Sequence, residues 1–458
     1  MRVLVRCAAA LCVVLVLAFP TLAQNTGGLP GKELVLAGKA YQQAPLVVLK
    51  ELVLAGRAYQ KASRVVLHGN VVHYQFDVPV GPGPFDVIRM HRVVKEVWPG
   101  WPVRKMEGIL LLPGIPQRFE AIFLQAPLSE HPVDQSSIAL FLASNNIDVW
   151  GIDYGHSFVP SDATSFEFLS GWGVEKDAEH VQRALSIARW LRVMSMQGTG
   201  PMHLLGFSYG GLLVYAAAAE DTQRPGHLRN IKGIIPVDGT PIKVAPGSQE
   251  QLNACNKAAA TLALLDAGKY QFDFRASSTR GLMALNDPDG MSPSFGGVVS
   301  QPPFPPFPAF QANTFTNFQF SQVNAVRNKT LGGTYTVTPP SVTLFFAEAL
   351  RIVRLQAVTP PYYPNQIDYE GAASRCDSDL YPVAYDDHFS EVDVPIYYIA
   401  RADNWYYPVT LVRSADVTTS IVNQLWDPSL YGHADLFLAD DAASVIWQPI
   451  LDWIRAHR

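Results

Sequence analysis

An α/β fold built on a largely parallel sheet is predicted, on three observations. Short β-branched apolar runs alternate with longer segments of helical period. One such run, 202–206, passes into a small-residue helical stretch through Gly206-Phe207-Ser208-Tyr209-Gly210. The composition is that of a packed globule, with 48% of the 458 residues hydrophobic and 16% charged. A disordered chain and a coiled coil are thereby excluded. The net charge of −5, without a Lys/Arg stripe, argues against nucleic acid as a partner.

In chain order, residues 1–23 read as a signal peptide. Arg2 and Arg6 flank the start of an unbroken apolar run, 7–19, and Ala23 precedes the polar Gln24 and Asn25. A spanning helix needs about 20 apolar residues, so the segment predicts secretion rather than a stable membrane anchor. Export leaves Cys255 and Cys376 in the mature chain. Two cysteines in an oxidising compartment suit a single disulfide, two separate buried thiols being the alternative. No Cys/His spacing resembles a zinc site and no glycine-rich phosphate loop occurs, so neither metal nor organic cofactor is expected.

Residues 24–70 form a leader that holds an 18-residue tandem repeat, 32–49 followed by 50–67. Two copies are too few for a solenoid. The leader is expected to pack outside the domain and to carry no chemistry. From Val71 onward, strands are predicted at 85–94, 106–112, 120–125, 147–152, 202–206, 231–237 and 394–400. Helices are predicted at 135–144, 174–193, 209–219, 255–267, 342–355 and 442–456. In the second of these, Val181, Leu185, Ala188 and Leu191 make one apolar face.

The pentapeptide 206–210 is a G-x-S-x-G turn between strand and helix. Flanking glycines allow a turn tight enough to lift Ser208 clear of the sheet. There, free N–H groups and the helix dipole face a developing oxyanion. A glycine-rich turn with an incidental serine is the plain alternative; the apolar strand before it and the helix formers after it argue for the nucleophile.

A serine hydroxyl needs a histidine base, and the base needs an acid, in the chain order Ser, acid, His. The histidines after Ser208 are His227, His388, His433 and His457. His433 stands in a glycine-preceded loop before the last helix and is the predicted base. Asp403, in the loop after the 394–400 strand, is the predicted acid. Asp238, after the 231–237 strand, and Asp435 are its rivals.

Together, 206–211, the Arg401-Ala402-Asp403-Asn404 loop and 432–457 resemble the α/β-hydrolase superfamily, and the ending is similar to that of acid-lipase-like bacterial members. The resemblance implies an α/β-hydrolase fold, a mostly parallel sheet flanked by helices, with its catalytic core at 71–238 and 387–458 and a large cap insertion at 239–386. It implies a serine hydrolase that cleaves carboxylic esters through an acyl-enzyme. A proline-releasing serine peptidase and a non-catalytic binder of hydrophobic ligands are the alternatives on the same fold. Where the family often has His-Gly after its third strand, this chain has Gln125-Ala126-Pro127-Leu128. Proline has no N–H, so the main-chain N–H groups of Tyr209 and Leu128 are the expected oxyanion donors. In the cap, 301–322 holds six phenylalanines and five prolines. Phe307, Phe310 and Phe315 are expected to line a pocket for a small apolar ester, ordinary cap packing being the other reading.

Overall fold

The computed structural model describes residues 46–458 apart from 105, 126–136, 199, 242–243, 294–313, 377–379, 402–411 and 423–429. The expected signal peptide and most of the first repeat copy lie outside these residues. Helix α1 (Leu46–Gln60) leads into an antiparallel meander of β1 (Ser63–His68), β2 (Val71–Pro79) and β3 (Val87–Trp98), on which β4 (Trp101–Pro102) folds back. Then come β5 (Glu107–Leu112), α2 (Phe119–Phe123), α3 (Ile138–Ser144) and β6 (Ile147–Asp153). They are followed by α4 (Val174–Met194), β7 (Met202–Phe207), α5 (Tyr209–Thr222) and β8 (Ile231–Val237).

The chain then leaves the sheet for the cap. Its elements are α6 (Gln249–Asp266), β9 (Gln271–Asp273), α7 (Arg275–Asn286), α8 (Asn317–Arg327) and the hairpin of β10 (Gly333–Val337) and β11 (Pro340–Leu344). Helix α9 (Ala349–Ala357), β12 (Tyr362–Pro364) and α10 (Asn365–Ala373) complete it. A disulfide joins Cys255 on α6 to Cys376 just beyond α10, with 4.7 Å between the Cα atoms. The chain returns through β13 (Ile396–Ala400) and β14 (Val417–Ile421) and ends on α11 (Asp435–Leu438) and α12 (Gln448–Ala456).

The sheet order is β1-β2-β3-β6-β5-β7-β8-β13-β14, and every neighbouring pair from β6 to β14 is parallel. Every residue of β7 is buried, as a central strand covered on both faces requires. Phe119, Leu140 and Leu451, from α2, α3 and α12, pack on one face. Leu52, Leu185 and Leu213, from α1, α4 and α5, pack on the other. No described helix is long and apolar enough to cross a membrane.

Three expectations change. The 120–125 segment is not a strand. Phe119 N–H donates to Asp153 Oδ1 at 2.7 Å and opens α2, while β5 already holds the place beside β7. In the cap, 342–355 divides between β11 and α9. The helical half of the second repeat copy packs into the core, while its extended half lies exposed along the sheet edge. Leu52 and Ala55 are buried, Tyr59 Oη accepts from Arg92 Nη1 at 2.9 Å, and 63–68 is an edge strand of the sheet. The same Val-Val-Leu triplet is helical at 47–49 and extended at 65–67. Tertiary context, not intrinsic preference, decides there.

Candidate active site

Strand β7 ends at Phe207 and α5 begins at Tyr209, which leaves Ser208 alone at the junction with φ 56° and ψ −117°. A β-carbon on Gly206 would lie 1.9 Å from Gly210 O, and one on Gly210 would lie 2.3 Å from Leu112 O. Only glycine fits on either side of the serine.

Phe207 and Val237 are register partners across β7 and β8. The residues that follow them, Ser208 and Asp238, therefore emerge at the same sheet edge. Ser208 N–H donates to Val237 O at 2.9 Å. Asp238 also has a positive φ, 47°. Its carboxylate is wholly buried, and Oδ2 accepts from His433 Nδ1 and from Arg401 Nε, the latter at 2.8 Å. A carboxylate can only accept, so the imidazole proton sits on Nδ1 and Nε2 is left as an acceptor. The imidazole lies against the Phe207 ring, 4.5 Å between centroids. Ser208 Oγ makes no hydrogen bond to His433 in this structure. In such sites that contact commonly tightens only with substrate bound.

The histidine loop is pinned from the cap side. His433 N–H donates to Lys329 O at 2.9 Å, and Ala434 N–H to Thr330 O at 2.7 Å. Asp435 Oδ2 accepts from Gly432 N–H at 2.7 Å and Gly332 N–H at 2.6 Å. Burial pushes the Asp435 carboxyl up to about 7, against the pull of those two N–H groups. Five non-glycine residues among those described have positive φ, and three of them, Ser208, Asp238 and Lys329, belong to this one constellation. Backbone strain of that kind costs about 1–3 kcal/mol per residue and gathers at functional sites.

The loop facing the serine from the other side follows β5. A β-carbon on Gly114 would lie 2.9 Å from Ser208 Cβ, so the 113–117 backbone runs directly against Ser208. On the next residue, Tyr209 Oη donates to Asp177 Oδ2 at 2.8 Å, and Asp177 also accepts from Trp172 Nε1 at 2.9 Å.

Of the residues expected from sequence, Ser208, Tyr209 and His433 come together. Asp403 lies outside the described residues, and the place at His433 Nδ1 is held by Asp238. The physical reason is sheet order: β8 borders β7 directly, and β13 stands one strand further out and is followed by Arg401. Leu128 also lies outside the described residues, and its basis is gone. With 119–123 helical, the strand beside β7 is β5, and the facing loop holds Gly114. The signal for it was Pro113-Gly114, immediately after the apolar run 107–112. Phe315 is buried inside the cap with Phe320 and Val323, beneath Tyr335, Val337 and Val342. It is cap core and not a pocket wall. Phe307 and Phe310 lie outside the described residues.

One His/His/Glu group, His73, His91 and Glu120, stands away from the elbow. His73 Nε2 and His91 Nδ1 are 3.0 Å apart and hydrogen-bonded, and His91 Nε2 lies 3.3 Å from Asp153 Oδ2. The imidazoles are occupied with each other and with that carboxylate.

No family model matches the chain, and no curated protein matches it. Solved structures do. A lipase candidate from Sulfolobus solfataricus superposes with a TM-score of 0.58 at 18% identity, over 87% of this chain and 100% of that one. A soluble variant of monoglyceride lipase from Saccharomyces cerevisiae gives 0.41 at 12%, over 86% and 94%. An esterase from Thermogutta terrifontis gives 0.37 at 14%, over 84% and 98%. The first likeness, with the strand order above, shows the fold: this chain has the α/β-hydrolase fold.

Proposed function

We propose that this α/β-hydrolase-fold chain is a secreted serine hydrolase of small carboxylic esters. Ser208 Oγ attacks the ester carbonyl while His433 Nε2 takes its proton and then returns it to the leaving alcohol. Asp238 holds the imidazole tautomer and faces the imidazolium as it forms. The oxyanion meets the main-chain N–H of Tyr209 at the start of α5 and one from the Gly114–Ile115 turn. Water then repeats the sequence and frees the acid. No cofactor enters these steps.

The observation that carries this reading is the buried Asp238–His433 hydrogen bond beside a serine with positive φ between two obligatory glycines. The ester substrate is supported by the Sulfolobus solfataricus lipase candidate, the structure that superposes best of the three described. A fluorophosphonate probe tests the nucleophile, with labelling expected of the native chain and abolished in Ser208→Ala. A panel of p-nitrophenyl esters of increasing acyl length, run beside an aminopeptidase substrate, tests the class. An unlabelled Ser208, or turnover of the peptide alone, overturns the proposal.

A further inference from the structure

We infer that Arg401 is a positioning residue of this site, one that clamps Asp238 under His433 and extends catalysis to lower pH. The inference rests on the reading of Asp238 and His433 as acid and base. Arg401 is the first residue beyond β13, at a strand end bordering β8. It grips both oxygens of Asp238, with Nε donating to Oδ2 at 2.8 Å and the main-chain N–H to Oδ1 at 3.3 Å. Its Nη1 donates to Lys329 O at 3.3 Å, the same carbonyl that receives His433 N–H. One side chain thus ties the acid to the segment that holds the base.

The electrostatic consequence has a definite sign. His433 Nδ1 and Arg401 Nε share a single oxygen, Oδ2, of a fully buried carboxylate, with the arginine side chain itself only 7% exposed. A guanidinium there takes up part of the negative charge that would favour an imidazolium. The free enzyme must hold its base neutral, so the arginine keeps the site competent in more acidic solution. Other charged groups stand near the pair among the described residues. Asp435, on α11, lies within electrostatic reach of Arg401, and burial pushes its carboxyl up to about 7. The 329–332 segment brings Lys329, β7 brings the apolar Phe207, and Asp403 lies outside the described residues.

The test is the pH profile of kcat/KM for one p-nitrophenyl ester. In Arg401→Gln the acid limb is expected to move up by about half to one pH unit, so that activity at pH 5 falls several-fold more than at pH 8. Arg401→Lys, which keeps the charge, should hold the limb near its native position. The Gln-induced shift should persist in an Asp435→Asn background. Arg401→Met, which keeps the packing of the stem, reads the same shift should the Gln variant fail to fold. An unmoved limb, or an equal loss at every pH, overturns the inference. Failure of the underlying triad would look different: Asp238→Asn would keep its rate.

Discussion

Tyr209 Oη donates to Asp177 Oδ2 at 2.8 Å and so ties the residue after the nucleophile to the first turn of α4. Asp177 is fully buried. Removing the phenol leaves that carboxylate short of a donor, a loss worth about 1–3 kcal/mol. Tyr209→Phe should therefore unfold at lower urea while kcat changes less than about tenfold, since the oxyanion contact uses the main-chain N–H. A large drop in kcat at unchanged stability would place the phenol itself in the chemistry.

Asp238 and Asp403 are separable by one measurement each. Asp238→Asn removes the carboxylate charge and can turn an amide N–H toward His433 Nδ1, which favours the wrong tautomer, and should lower kcat by about 10²- to 10⁴-fold. Asp403→Asn should stay close to the native rate. The opposite ranking would return the acid to the loop after β13.

Gly114→Ala probes the oxyanion loop. The added methyl meets Ser208 Cβ at 2.9 Å, so the 113–117 turn must retreat from the nucleophile. Loss of one oxyanion donor costs about 10²- to 10³-fold in kcat, and that loss is expected with KM little altered. An active alanine variant would remove this loop from the site.

Asp435 makes stability depend on pH. Its carboxyl titrates from the ordinary 3.8 in the unfolded chain and at about 7 when folded. Between those values the folded state holds a proton that the unfolded state has released. Its contribution is whole below about pH 4 and is lost as pH rises to 7, at up to about 1.4 kcal/mol per pH unit. Asp435→Asn, which keeps an acceptor for Gly332 and Gly432, should flatten that decline in urea unfolding between pH 4.5 and 7.5. An unchanged slope would assign the pH dependence to other groups.

Cys255 and Cys376 are separated by 121 residues in sequence. Chain-entropy arguments give a cross-link of that span about 4–5 kcal/mol. Alkylation of the denatured, non-reduced protein should find neither thiol. Cys376→Ser should lower the unfolding midpoint by several degrees. Two alkylated cysteines would deny the bond.

The central strands were legible because β5, β7 and β8 are covered on both faces, and such strands read as near-continuous apolar runs. The elbow was legible because its geometry admits only glycine at 206 and 210. The acid was not. Asp238 and Asp403 each follow an apolar run, and composition sets no order between two parallel strands. Sheet adjacency separates them, and so does Arg401 at the tip of β13. The five residues of α2 are too few for periodicity to distinguish helix from strand. Its capping by Asp153 is a contact across 34 positions of sequence. Misreading it displaced the oxyanion loop as well. Phe315 is apolar enough for either a pocket or a cap core, and the β10–β11 hairpin above it settled the matter.

The place of the cap in the chain also sets the order in which a growing polypeptide assembles the proposed site. Strand β8 is made before residues 238–395, and its outer edge has no partner until β13 follows them. An unpaired parallel edge is an invitation to wrong pairing, so the cap must collapse on itself while that edge waits. Ser208 and Asp238 are laid down before residues 239–386, and His433 follows them. A chain that stops before His433 therefore carries the proposed nucleophile without its proposed base. Under the proposed mechanism, activity waits for the segment that carries His433.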